Sequence, residues 1–145
     1  MPRGNLGDSG SVNLFSTLQG SSAGCSEQDA AKPQPAMIET QEARQLFARS
    51  PKPLFVDVRT RKEFSTGRIA GAINLPPEEI EQRWNALPRN RTIVLYESGR
   101  SSGDICAASR AAGRALLAHG FSPQNVKVYQ DGLAGWERAG LPIEH

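Results

Sequence analysis

The sequence predicts an α/β domain built on a parallel sheet with helices on both faces. Three observations carry that prediction. From Met37 onward, short strand-like runs alternate with helix-like stretches, the order that winds a parallel sheet through right-handed crossovers. The run Thr92-Ile93-Val94-Leu95-Tyr96 is apolar on both faces, as a central strand covered above and below must be. The chain of 145 residues, 38% hydrophobic and 22% charged, has apolar side chain for one core, since domains run most often to about 100–150 residues.

Taken in order, residues 1–36 are rich in Gly, Ser, Gln, Asn and Pro, with apolar residues scattered at Val12, Leu14, Phe15 and Leu18. Such a segment buries too little surface to offset its chain entropy, so a disordered tail is predicted, with the domain at residues 37–145. Thr40 caps a predicted helix running to Arg49, with Ala43, Leu46 and Phe47 at helical spacing and Ser50-Pro51 as its stop. Leu54-Phe55-Val56-Asp57-Val58 is a strand-like run. A short helix over 61–66 and a strand over 72–75 follow. Pro76-Pro77-Glu78-Glu79 opens a helix leading to Leu87, because proline fits the first turn and acids favour the positive end of the helix dipole. After the strand at 92–96, residues 104–119 have helical composition, with Ile105, Ala108, Ala112 and Leu116 on one stripe and Gly120 at the stop. A strand at 125–129 and a helix at 133–139 complete the pattern, and no internal repeat is visible.

Charge and cysteine usage narrow the function. The net charge is +2, from 17 basic and 15 acidic residues without a Lys/Arg block, so no nucleic-acid partner is expected. The longest apolar runs are far too short to span a bilayer. Cys25, Cys106, His119 and His145 have no metal-ligand spacing, and two cysteines make no disulfide framework. No metal or organic cofactor is expected. Ser22-Ala23-Gly24-Cys25 has the small residues that precede the lipidated cysteine of a bacterial lipoprotein, but the stretch before it lacks a basic start and an unbroken apolar run. The cytoplasm is therefore the favoured compartment, with an envelope lipoprotein through Cys25 as the alternative.

Binding sites of such sheets lie outside the carboxyl ends of the strands, which directs attention to the residues after Val58 and Tyr96. The loop Glu97-Ser98-Gly99-Arg100-Ser101-Ser102-Gly103-Asp104 carries two glycines, three serines and an arginine. Its amides, with the following helix N-terminus, suit an anion, and Ser102 or Asp104 can fix the loop. Cys106 falls in the first turn of that helix, where the dipole and nearby arginine favour the reactive thiolate. It reads either as a nucleophile toward a small sulfur or oxyanion substrate held by loop amides and Arg100 or Arg110, or as a small buried hydrophobe sharing a stripe with Gly113 and Leu117. Glu97 reads as a general base, an anion-repelling charge or, most simply, a solvated carboxylate. His119 is expected to serve the helix C-terminus.

At this point the residues carry a resemblance. Phe55-Val56-Asp57-Val58-Arg59, then Glu63-Phe64, then Gly67-Arg68-Ile69-Ala70-Gly71-Ala72-Ile73-Asn74-Leu75 resembles the opening motif of rhodanese-like domains, with Arg68 where that family usually has histidine. Asp131-Gly132-Leu133-Ala134-Gly135-Trp136, followed by Ala139-Gly140-Leu141-Pro142, is similar to the family's closing motif. The resemblance covers roughly Met37 to the C-terminus. It implies a five-stranded parallel sheet with helices on both faces, and sulfurtransferase chemistry, in which a cysteine takes sulfane sulfur from a donor such as thiosulfate and passes it to a thiophile. In the family pattern that cysteine directly follows the strand and opens a short amide loop ending in arginine.

This sequence departs from the pattern, since Glu97 follows Tyr96 and Cys106 lies nine residues on. Two hypotheses stay open. One is an enzyme acting through a Cys106 persulfide, its small anionic donor held by Arg100, Ser101, Ser102, Gly103, Asp104, Arg110 and Arg59, its acceptor a thiophile such as a protein thiol. The other is a silent binding or regulatory module with Glu97 filling the old anion site. A redox-sensing thiol is a third option. Asp57 and Arg59 are expected to bond backbone or each other, Gly71 and Gly132 to be turns with positive φ, and Trp136 to be core. Trp84 is expected to be partly exposed, with no function assigned.

Overall fold

The computed structural model of the chain describes residues 33–99 and 107–145. Readings that fall on residues 1–32 of the tail, Cys25 included, and on residues 100–106, Ile105 included, lie outside the described residues; the last residues assigned to the tail do not, since Pro35 is buried and Ala36 begins a strand. In chain order the elements are β1 (Ala36–Ile38), α1 (Thr40–Phe47), β2 (Leu54–Asp57), α2 (Arg61–Thr66), β3 (Arg68–Ile69), β4 (Ile73–Asn74), α3 (Ile80–Arg83), β5 (Ile93–Tyr96), α4 (Ala107–Ala118), β6 (Val126–Tyr129), α5 (Gly132–Arg138) and β7 (Ile143–Glu144). Five strands form a parallel sheet in the order β1-β6-β5-β2-β4, while β3 and β7 pair antiparallel as a separate ribbon. The α/β architecture predicted from the alternation is therefore the one observed.

The period of a strand divides the core. Successive side chains of β5 point to opposite faces, so Ile93 and Leu95 join Val56, Val126 and Val128 under Ile80 of α3 and Leu116 of α4. Val94 and Tyr96 join Phe55 and Tyr129 under Leu46 of α1 and Trp136 of α5. All four residues of β5 are fully buried, as expected of a strand between β2 and β6. On the second face Trp136 packs edge-on against Phe47 and Tyr129, and its Nε1 donates to the Pro142 carbonyl at 2.8 Å, so this indole is core with its polar atom satisfied.

Several expectations are corrected. Three-residue β1 has no counterpart in the sequence reading, because Ala36-Met37-Ile38 is too short to show a period. Thr40 does not cap α1 as predicted: the N-cap is Glu39, without a side-chain bond. Instead Asp131, from the loop after β6, accepts Thr40 N at 3.1 Å and Thr40 Oγ1 at 3.0 Å, leaving Thr40 Oγ1 to accept from Tyr129 Oη at 2.7 Å. A distant carboxylate thus satisfies the first orphan donor of the helix. The helix expected from Pro77 to Leu87 breaks into a 3-10 turn at Pro77–Glu79, α3, and another at Trp84–Ala86. By contrast, Gly120 ends α4 as expected, with φ +94° and with Phe121 N donating to Leu116 O and Gly120 N to Leu117 O, the paired bonds of a Schellman motif. His119 does not serve the helix terminus; its ring stacks on half-buried Trp84 at 4.2 Å and meets Glu81 at 2.8 Å, while Arg89 Nη2 donates to the His119 carbonyl.

Candidate active site

The carboxyl ends of β2 and β5 lie side by side, with Asp57 in register with Tyr96. Asp57 is fully buried, and its carboxylate accepts from Arg59 N at 2.9 Å, Arg59 Nε at 2.9 and 3.1 Å, and Arg59 Nη2 at 2.7 Å. The same Nη2 donates to Gly67 O at 2.6 Å. Burial works against the guanidinium charge, and the bonds and charge of Asp57 outweigh it, so the pKa of Arg59 is raised. Asn74 completes the unit, donating from Nδ2 to the Asp57 and Arg59 carbonyls at 3.0 and 2.9 Å. Tyr96 Oη accepts the Ile69 amide at 3.0 Å. Burial, and then the neighbouring Asp57 charge, push the Tyr96 phenol far above its ordinary range, so it stays a neutral hydroxyl. Asp57, Arg59, Asn74 and Tyr96 together fix the loop between β2 and β4 against the central strand.

The rest of the opening motif serves local order. Glu63 forms a capping box with Thr60 at the start of α2. Arg68 donates to Phe64 O at 3.2 Å, lies 4.7 Å over the Phe64 ring, and approaches Glu144 at 3.7 Å. Gly71 has φ +82° with open space where a Cβ would stand.

The chain leaving β5 is clamped between two helices. The carbonyls of Glu97 and Ser98 accept the amides of Leu133 and Ala134 at 2.9 and 2.8 Å, so they cap α5. The Glu97 carboxylate turns the other way, and its Oε2 accepts Ser109 N, in the first described turn of α4, at 2.6 Å. The expectation of a solvated Glu97 is corrected: the residue is half-buried, and its carboxylate holds a backbone amide of α4 from a neighbouring strand end. Gly132 makes the clamp possible. Its φ is +62°, and a Cβ there would lie 2.5 Å from Gly99 N and 2.6 Å from Glu97 O.

Of the residues singled out from the sequence, Arg100, Ser101, Ser102, Gly103, Asp104 and Cys106 lie outside the described residues. Arg110, half-buried, follows Ser109 on α4. Cys106 directly precedes Ala107, the first described residue of α4. Reading the sequence missed the parts played by Asn74, Tyr96 and Ser109. An asparagine ending a strand is a visible signal for the first; the others act through neighbours that only the fold supplies. Ser109 is fully buried, and its Oγ has no hydrogen-bond partner among the described residues. Among the described residues no helix is long and apolar enough to cross a membrane.

Comparison with known proteins agrees with this architecture. A family model described as "Rhodanese-like domain" matches residues 39–139. A protein named "Sulfurtransferase" from Allochromatium vinosum is 33% identical over 107 residues, which are 73% of this chain and 92% of that protein. The "HTH-type transcriptional regulator Rv0324" of Mycobacterium tuberculosis is 37% identical over 92 residues, covering 61% of this chain and only 36% of the regulator. The solution structure of the rhodanese-like domain of Alr3790 from Anabaena sp. superposes with a TM-score of 0.62 at 27% identity, covering 78% of this chain and 79% of that one. A rhodanese-related protein of Thermoplasma volcanium gives 0.60 at 25% identity, covering 75% and 97%.

Proposed function

The chain belongs to the rhodanese-like domain family, and from that membership we propose that it is a sulfurtransferase carrying sulfane sulfur as a persulfide on Cys106. The donor is a small sulfur compound such as thiosulfate, and the acceptor is a thiophile, a protein thiol included. What supports this reading is the family model over residues 39–139 and the 33% identity to the Allochromatium vinosum sulfurtransferase; locally there is the bond from Ser109 N to Glu97 Oε2, 2.6 Å long. It ties the first described turn of α4 to the end of the central strand, and Cys106 is one peptide bond from that turn. A thiol at a helix N-terminus is favoured as thiolate, the attacking form. The thiolate displaces sulfite from thiosulfate, forming the Cys106 S–S bond and breaking that of the donor; a thiophile such as cyanide then takes the outer sulfur and restores the thiolate. Arg110 and Arg100 supply positive charge for the donor. Arg59, already engaged by Asp57 and Gly67, orders the neighbouring loop.

A binding module is the second reading. In its favour, the position that the family pattern gives to cysteine holds Glu97, whose carboxylate already takes up a helix amide. Thiocyanate formation from donor and cyanide separates the two. The enzyme reading predicts turnover that Cys25→Ser retains and Cys106→Ser loses with its fold intact. Turnover surviving in Cys106→Ser excludes that cysteine, and no turnover with any donor leaves the module.

A further inference from the structure

We propose that the amino-terminal end of the sheet is a docking face for an acidic protein segment, one that presents a run of aspartate or glutamate carboxylates. The loops that enter three adjacent strands build the face. Residues 48–53 lead into β2, 88–92 into β5 and 119–125 into β6. Together these loops hold Arg49, Lys52, Arg89, Arg91 and His119, and no aspartate or glutamate. Their contacts join them into one surface. Arg91 donates from Nε to Lys52 O at 2.9 Å and from Nη2 to Pro53 O at 3.2 Å. Arg89 Nη2 donates to His119 O at 2.8 Å, and Asn125 Nδ2 to Arg89 O at 3.4 Å. Arg49, Lys52 and Arg89 are exposed, and Arg91 is half-buried.

What distinguishes this face is that neutral groups hold its cations. Elsewhere in the fold Arg59, Arg61, Arg68 and Arg83 each meet a carboxylate, whereas Arg49, Lys52, Arg89 and Arg91 meet none among the described residues. The two loop arginines are fixed by carbonyls, and Arg89 also lies 4.4 Å over Phe121 and 5.5 Å over Trp84. Lys52 lies 4.6 Å over Phe47. A carbonyl orients a guanidinium without cancelling its charge. At the margin Glu81 meets His119 at 2.8 Å, which leaves the four permanent cations unneutralised. An arriving carboxylate therefore breaks no ion pair, and the arginines that receive it are already ordered. Nucleic acid fits less well, because bases need an open aromatic face to stack on. Here Phe121 is buried, and Trp84 is covered by the His119 ring at 4.2 Å and by Arg89. A partner seated at the amino ends of the strands leaves their carboxyl ends, where ligands of such sheets bind, open.

The test titrates the full chain into labelled octaglutamate, octaglutamine and a single-stranded DNA octanucleotide at low salt, read by fluorescence anisotropy. Arg49→Gln with Lys52→Gln removes two exposed charges whose side chains tie no loops together. Arg61→Gln with Lys62→Gln removes two exposed charges from α2 and matches the first pair in net charge. Two unit charges about 4 Å apart in water are worth about fivefold in an equilibrium constant, so the loop pair should weaken octaglutamate about tenfold after screening, and the α2 pair less than about twofold. Added salt should weaken octaglutamate too, and octaglutamine should not bind. Trp84, beside Arg89, gives a second reading that needs no change to the face. Octaglutamate should alter the tryptophan emission of the unmodified chain and leave that of Trp84→Phe unaltered. Equal weakening by the two pairs, an unweakened loop pair, or no octaglutamate binding by the unmodified chain overturns the inference. So does an emission change that persists in Trp84→Phe. An octanucleotide that binds more tightly than octaglutamate, and loses affinity in the loop pair, overturns it in favour of a nucleic-acid surface.

Discussion

Replacing Gly132 by alanine tests the clamp at the end of β5. Two costs add. At φ +62° an L-residue is in the left-handed region, which costs about 1–2 kcal/mol. The new methyl would then meet Gly99 N at 2.5 Å and Glu97 O at 2.6 Å. Both are backbone atoms that no rotamer change can move, so the two loops must part by most of an ångström, with an overpacking cost of about 1–3 kcal/mol. The sum is about 2–5 kcal/mol, and at about 4 °C per kcal/mol for a domain of this size the melting temperature should fall by roughly 8–20 °C. Gly71→Ala is the internal control: φ is +82°, but nothing stands within 4 Å of the added methyl, so only the backbone cost of about 1–2 kcal/mol applies. Thermal unfolding followed by circular dichroism measures both. A Gly132→Ala protein no less stable than Gly71→Ala would refute the close approach of the two loops.

Other consequences follow from the same contacts. Asp57→Asn leaves the Arg59 guanidinium, 9% exposed, without its counter-charge, and should cost about 3–5 kcal/mol in urea unfolding. Leu95→Ala, in a fully buried strand position, should cost about 2–5 kcal/mol; a loss under 1 kcal/mol would deny β5 its central place. Tyr96 and Tyr129 have phenols raised above the ordinary value of 10.0, chiefly by burial. The folded state therefore holds protons that the unfolded chain releases, so stability should be level below pH 10 and fall above it. Tyr96→Phe should flatten part of that alkaline decline, and an unchanged slope would place the effect elsewhere.

How much of this was legible in the sequence depends on where each residue finds its partner. The helices and the strands β2, β4, β5 and β6 are written locally, in apolar runs, caps and stops such as Gly120. The partition of β5 between two core layers follows from its period of two. What the sequence hid are contacts across the fold. Thr40 looks like a helix cap because serine, threonine and aspartate at a helix start usually are, yet the carboxylate that satisfies its amide is Asp131, 91 residues away. Glu97 looks solvated because nothing next to it in sequence needs a carboxylate; its partner is twelve residues on, across the loop. β1 is hidden for another reason: three residues on a sheet edge take their extended form from β6, not from their own pattern. The Asp57–Arg59 pair, by contrast, was among the expectations, because two opposite charges two residues apart at a strand end lie within reach of each other.

The central claim is that Cys106 carries the sulfur. The most direct test is the intact mass of the full chain, with peptide mapping, after brief exposure to the persulfide of 2-mercaptoethanol and then to cyanide. One added sulfur on the peptide holding Cys106, discharged as thiocyanate and absent from Cys106→Ser, is the predicted result. A Cys106 thiol that alkylates readily yet takes up no sulfur, or sulfur found on Cys25 alone, would contradict it.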